Sequence, residues 1–188
     1  MIYFIRHGQT LANIHHKLNG WENDEPLLFT DKEILYKNLK QLEWIVLDHI
    51  YCSPLLRAKQ TLSEIQQATK YSNVPFSYEQ SLIEQKFGEL NNTPIMTINL
   101  RKDIPCPAYA WRIENKTKWA ESWYIFLSRL TKFLKKIQIY IGNTEKHVLL
   151  VAHGWVHLWL RSLIYNLSIE EILCNEKEKI WNFEIKLF

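Results

Sequence analysis

Three short stretches hold the side chains best suited to chemistry: Arg6-His7-Gly8, Ser53 to Arg57, and His153-Gly154. Arginines paired with histidines suit phosphoryl transfer. That reaction needs positive charge arranged around the equatorial oxygens, an in-line nucleophile and a proton for the leaving oxygen. Arg6 and Arg57 are fixed cations whose planar forks match phosphate oxygens bidentately, a geometry that lysine cannot reproduce. His7 directly follows one of them. Like charge disfavours imidazolium, so the ring is expected to be neutral and to keep a nitrogen lone pair free to attack. Taken singly, each residue reads as a surface charge or a loop histidine, and only the set points to a reaction.

Elements that could bring these stretches together are visible in the apolar pattern. Ile2 to Ile5 is a short apolar run stopping at a charged, glycine-containing turn, and His147 to Ala152 is a longer one stopping at His153-Gly154. Both read as buried strands. His49 to Cys52 is a further run, and Ser53-Pro54 after it is a helix-start signal for a helix through about Ala68. Asp31 to Leu47 carries Ile34, Leu35, Leu39, Leu42 and Ile45 at helical spacing, with Thr30 or Asp31 as N-cap. Trp119 to Ile141 is expected to be the longest helix, with a basic tail and an end near Gly142. Another helix should run from His153-Gly154 to about Tyr165. Val74 to Tyr78 and a segment within Ile180 to Leu187 are expected strands, and Leu82 to Arg101 shows no period and reads as loop. Strands alternating with helices imply an α/β three-layer sandwich with a mainly parallel central sheet. Ligands bind beyond the carboxyl ends of such strands, where Arg6, His7, Ser53 and His153 all fall.

The motifs themselves resemble those of the histidine phosphatase superfamily, which includes the cofactor-dependent phosphoglycerate mutases. RHGQT with Asn13 is similar to the family's first signature, and SPLLRAKQT from Ser53 to Thr61 to its second. LIEQKFGEL from Leu82 resembles the acid-bearing segment, ESWYIFLSRLTKFL from Glu121 the long helix, and VLLVAHG from Val148 the last site segment. The order is the family's across most of the chain. The resemblance implies a phosphoglycerate mutase-like fold and a covalent phosphohistidine at His7. Arg6, Arg57 and His153 would hold the phosphoryl group, with Asn13 and Gly154 also binding substrate. Glu84 would donate a proton to the leaving oxygen and then accept one from water, because a bound dianion favours the protonated form of a neighbouring carboxyl. Glu79 and Glu89 are the nearby competitors for that role.

No metal and no cofactor is required by this scheme, since two arginines and a histidine can stabilise the charge. His153 and His157 have a metal-ligand spacing, but no third ligand accompanies them, and His157 is read as a surface residue beside a catalytic one. His15 and His16 are read as solvated. Trp155 stands where the family usually has a small residue and is expected to narrow the entrance; Trp21 is a second candidate for the pocket wall. Leu90 and Asn91 replace a usual tryptophan and acid. These departures fall on the leaving-group side. With about 30 residues between Glu84 and the long helix, where family mutases carry an extra segment, the resemblance favours the phosphatase branch, with a loop-rich cap over roughly 82–118. A mutase is the runner-up, and a non-catalytic phospho-ligand-binding domain ranks below both.

The bulk properties exclude other classes. The 188 residues fit a single domain able to bury a core without staples. Apolar content of 47% with 23% charged residues argues against a disordered chain. The net charge of +3 is dispersed, and its densest stretch, Lys132, Lys135 and Lys136, reads as a solvated helix face and not a nucleic-acid footprint. Cys52, Cys106 and Cys174 have no disulfide or zinc spacing, which implies a reducing compartment. No apolar run approaches a signal peptide or a membrane span. The expected setting is cytoplasmic, and the expected partner is a small-molecule phosphate ester, with no nucleic acid and no membrane.

Overall fold

The computed structural model describes residues 1–28, 32–68, 70–97, 118–168, 171–172 and 180–188. A five-stranded sheet runs through the middle. Strand β1 (Ile2–Arg6) pairs in parallel with β4 (Val148–Ala152), from Ile2 opposite Val148 to Arg6 opposite Ala152. Strand β2 (His49–Cys52) lies parallel along the other edge of β4, and β3 (Phe76–Tyr78) lies parallel outside β2. Strand β5 (Ile185–Leu187) closes the far side antiparallel to β1, giving the order β3-β2-β4-β1-β5.

Successive residues on β1 and β4 point to opposite faces, and both faces are covered. Ile2, Phe4, Val148, Leu150 and Ala152 belong to one buried cluster; Ile5, Leu149 and Val151 belong to a second. Helices α4 (Trp123–Lys136) and α5 (Gly154–Tyr165) roof the first face with Phe126, Leu130, Phe133, Val156 and Trp159. Helices α2 (Lys32–Leu39) and α3 (Leu56–Ala68) roof the second with Leu35, Leu39, Ala58, Leu62 and Ile65. A four-residue helix, α1 (Leu11–Ile14), follows β1. The result is the expected α/β sandwich, held by a core on each side of the sheet.

Element ends differ from the expectation for local reasons. Helix α2 stops at Leu39 and tightens into a 3-10 turn, Lys40–Leu42. Helix α4 starts at Trp123 because the Ser122 hydroxyl accepts from the Ile125 amide at 3.2 Å, which caps it there. It ends at Lys136, and a 3-10 turn, Gln138–Tyr140, leads to Gly142 at φ +68. Helix α3 starts at Leu56, whose amide is capped from outside by Asp24 Oδ1 at 2.6 Å. Within 82–97 the chain makes short 3-10 turns, among them Gly88–Leu90 and Ile95–Thr97. Thr30, Asp31, Cys106, Cys174 and most of the expected cap lie outside the described residues. Cys52 is buried in β2. Among the described residues no helix is long and apolar enough to cross a membrane.

Candidate active site

Three parallel strands end on one rim, and the residues leaving them are neighbours by register. The His7 amide donates to the Ala152 carbonyl at 2.9 Å, and the Ser53 amide donates to the Val151 carbonyl at 2.9 Å. His7 and His153 therefore emerge side by side, with ring centroids 5.1 Å apart. Gly154 opens α5 beside Arg6: a Cβ there would lie 3.7 Å from Arg6 Nε. Arg57 enters from the first turn of α3.

Both imidazoles are buried and oriented by a hydrogen bond at one nitrogen. His7 Nδ1 lies 2.7 Å from the Gly8 carbonyl. A carbonyl can only accept, so Nδ1 carries the proton and Nε2 keeps its lone pair. Burial first, then Arg57 and Arg6, holds the His7 pKa well below the ordinary imidazole range, against the opposing pull of the Gly8 carbonyl. The neutral ring expected from the cations alone thus has a larger cause in desolvation. His153 Nε2 meets Ser53 Oγ at 2.7 Å, and the Leu55 amide donates to that same oxygen at 3.4 Å. Among the described residues Nε2 is the acceptor that faces the Ser53 hydroxyl, so the hydroxyl proton serves Nε2 and the ring proton stays on Nδ1. Burial, followed by Arg57, His7 and Arg6, lowers the His153 pKa well below the usual range too.

Arg57 is fully buried, and backbone carbonyls of the loop before it hold its fork: Nη1 donates to Asn23 O, and Nη2 to Asn19 O and Gly20 O, each at 3.2 Å. Burial pulls its pKa down to about 10, so the cation persists at neutral pH. Arg6 Nη1 donates to Ile180 O at 3.0 Å. Arg6 Nε, Arg57 Nε and His153 Nδ1 are buried and have no hydrogen-bond partner among the described residues. Buried donors are ordinarily satisfied, so three such atoms around one imidazole mark a place for an acceptor-rich anion.

The Glu84 carboxylate joins this group. Its Oε1 accepts from the Gln85 amide at 2.9 Å, its Oε2 accepts from the Trp155 amide at 3.4 Å, and its charge acts on both Arg6 and Arg57. Helix α4 holds the backbone beneath it. Arg129 grips Glu121 through Nε and Nη2 at 2.8 and 3.0 Å, and also donates to the carbonyls of Ser81 and Glu84. Of the competing carboxylates, Glu79 is tied to Lys136 and the Ser81 amide, and Glu89 accepts from the Lys118 amide. Asn13 lies close to the site but its Oδ1 is engaged by the Thr10 amide and the Asn182 side chain.

One expectation is corrected. His157 is no surface residue: it is fully buried, with its ring 5.1 Å from Phe4 and 5.2 Å from Phe188, because α5 is buried on nearly every side from Trp155 to Leu160. The Trp155 ring is buried and belongs to the α4/α5 core cluster, and its backbone amide reaches Glu84. Trp21 is 39% exposed on the loop that wraps Arg57. Ser53, Asn182 and the carbonyls around Arg57 were assigned no role by the sequence reading; only the rim position of Ser53 gave a signal.

Comparison with known proteins speaks to the family and the fold. Residues 2–179 match the family model of the histidine phosphatase superfamily, branch 1. A fructose-2,6-bisphosphatase TIGAR of Xenopus tropicalis is 29% identical over 138 residues, 67% of this chain and 49% of that protein. A 2,3-bisphosphoglycerate-dependent phosphoglycerate mutase 2 of Gloeobacter violaceus is 28% identical over 163 residues, 82% of this chain and 70% of that one. The chain spans about half or less of the first of these curated relatives, at 49%, 40% and 44% of their lengths. Among solved structures, the alpha-ribazole phosphatase of Shigella flexneri aligns with a TM-score of 0.73 at 21% identity, covering 98% of this chain and 87% of that one. A phosphoglycerate mutase of Bacillus anthracis aligns at 0.70 and 24% identity, covering 86% and 78%. At these identities the structural likeness speaks for the fold.

Proposed function

The chain belongs to the histidine phosphatase superfamily, and on that premise we propose that it hydrolyses a small cytosolic phosphate monoester through a phosphohistidine on His7. The observation that carries this reading is the set of buried, unpartnered donors at Arg6 Nε, Arg57 Nε and His153 Nδ1 beside a neutral His7 whose Nδ1 is already bonded. In the first step His7 Nε2 forms a bond to phosphorus as the P–O bond to the alcohol breaks, and Glu84 gives its proton to the departing oxygen. In the second, Glu84 takes a proton from water, the water oxygen bonds to phosphorus and the P–N bond breaks, which releases phosphate and restores the ring. Arg6, Arg57 and His153 would stabilise the equatorial oxygens in both steps without reorganising, because hydrogen bonds to Ile180 O, to the carbonyls of Asn19, Gly20 and Asn23 and to Ser53 already hold them. Gly154, whose backbone packs beside Arg6, would line the same subsite; Asn13 would support the loop around it.

The test is hydrolysis of nitrophenyl phosphate by the purified protein. Turnover in the wild type, its abolition in His7→Ala and its survival in a strong chelator are expected. No release of phosphate from a broad panel of esters would instead leave a phospho-ligand-binding domain. Phosphoglycerate mutases among the relatives give a second reading, phosphoryl transfer between substrates. Conversion of 3-phosphoglycerate to 2-phosphoglycerate after priming with the bisphosphate, in place of phosphate release, would decide for it.

A further inference from the structure

The segment after residue 180 returns to the sheet as β5, and on its way it meets the nucleophile loop at several points. The Phe183 amide donates to Arg6 O at 3.0 Å and the Arg6 amide to Glu184 O at 3.3 Å. The Phe183 ring lies against Gly8 so closely that a Cβ on that glycine would stand 2.2 Å from Cζ. Phe183 itself has φ +60, a left-handed conformation that a side chain of this size rarely adopts and that persists only where its surroundings enforce it. This turn presents Asn182. The Asn182 Nδ2 donates to His7 O at 2.8 Å, to Gly8 O at 3.1 Å and to Asn13 Oδ1 at 3.2 Å. With two carbonyls facing it, that atom must be the amide nitrogen, so the orientation of the side chain is set by its partners.

Gly8 O is the acceptor shared by Asn182 and by His7 Nδ1. We propose that Asn182 is a positioning residue for the nucleophile: by clamping the His7 and Gly8 carbonyls from the C-terminal segment, it fixes the acceptor that keeps the His7 proton on Nδ1 and the lone pair on Nε2. Its Nδ2 bonds go to two backbone carbonyls and to Asn13, not to the ring nitrogens of His7. It acts through the carbonyl, much as an outer partner of a metal-bound histidine sets the tautomer and ring angle. Without the clamp the Gly8 peptide can rotate, Nδ1 loses its fixed partner, and the proton redistributes between the ring nitrogens. A ring protonated on Nε2 cannot attack.

The inference rests on His7 as the proposed nucleophile, but its decisive readout needs no turnover. In protein labelled with 15N-histidine, a long-range proton–nitrogen correlation distinguishes the tautomers, and His7→Ala assigns the signals. The wild type is expected to show His7 protonated on Nδ1 only. Asn182→Ala is expected to show a mixed tautomer, and its phosphoenzyme should form about 10- to 100-fold more slowly from nitrophenyl phosphate. The inhibition constant of inorganic phosphate should be unchanged. A merely structural asparagine would move thermal stability and phosphate affinity and leave the tautomer alone. A wild-type His7 protonated on Nε2, or an Asn182→Ala variant that keeps the Nδ1 proton, overturns the proposal; should Asn182→Ala not fold, Asn182→Ser, which keeps a smaller polar group in place, is read by the same two outcomes. An inactive wild type whose Nδ1 tautomer is nonetheless lost in Asn182→Ala would sink the phosphatase reading and uphold only the clamp on the His7 tautomer.

Discussion

A carboxyl that donates a proton matters in proportion to the need of the leaving oxygen, and Glu84 can be tested on that scale. A nitrophenolate departs without a proton, whereas an alkoxide does not. Glu84→Gln is therefore expected to lower kcat/KM for an alkyl phosphate by about 10²–10⁴-fold and to spare kcat/KM for nitrophenyl phosphate. Since Glu84 would, on the proposed scheme, also serve water in the second step, kcat for the aryl ester should fall and a burst of nitrophenolate should appear before it. An equal loss for both esters would show that the carboxyl only holds the loop, through its bonds to the Gln85 and Trp155 amides. At this scale Arg6, His7, Arg57 and His153 were legible from residue type and placement, and Glu84 from its motif. Ser53 and Asn182 had no legible role because each hydrogen-bonds a residue remote in sequence, separated by 100 and 175 positions respectively. Nothing in the local sequence records such a partner.

Between elements, the β1–α1 turn packs tightly against the segment entering β5. Gly8 has no room for a side chain: a Cβ would lie 2.2, 2.6 and 2.9 Å from Cζ, Cε1 and Cε2 of Phe183. Gly8→Ala must push the turn or the ring away, at a cost of about 1–3 kcal/mol, and the displaced turn carries His7. Loss of both thermal stability and turnover is expected. Phe183→Leu removes the colliding ring atoms, so in the double variant much of the Gly8→Ala loss should return, as a coupling between the two sites. Strictly additive losses would mean that the collision is relieved elsewhere. This contact also shows where the element reading stopped. Strands β1 and β4 were plain because both faces are buried, which makes each a continuous apolar run. Strand β5 covers three residues at the sheet edge and its antiparallel direction follows from the tail folding back, which apolar pattern does not encode. The turns within 82–97 lacked a period because 3-10 turns of three residues are too short to repeat an apolar face.

The molecule as a whole carries an acid sensitivity written into its histidines. His7, His153 and His157 are all buried with pKa values held well below 6.5, in each case chiefly by desolvation. The unfolded chain binds protons at these rings near pH 6.5 and the folded chain does not. Stability from this source is therefore fully present above pH 6.5 and is lost as pH falls toward the folded values, at about 1.4 kcal/mol per pH unit for each histidine. Glu79, whose pKa is lowered from 4.5, contributes only below that value and leaves the window from 6.5 to 5 to the histidines. His157 separates folding from function, because it lies outside the rim and faces Phe4 and Phe188, with Lys186, Arg161 and Arg6 as the nearby cations. Neither of its ring nitrogens has a partner among the described residues, so replacing it by an apolar side chain removes two desolvated polar atoms and one proton site together. His157→Leu is expected to be at least as stable as the wild type at pH 7.5. Urea unfolding at pH 7.5, 6.5 and 5.5 should then show a shallower fall in stability, by about 1.4 kcal/mol per pH unit below 6.5. His153→Leu would flatten the curve as well, but at the expense of the anion site. Identical pH slopes for His157→Leu and the wild type would place the acid sensitivity in the rim histidines and His49, whose pKa is also lowered by burial and by Lys136.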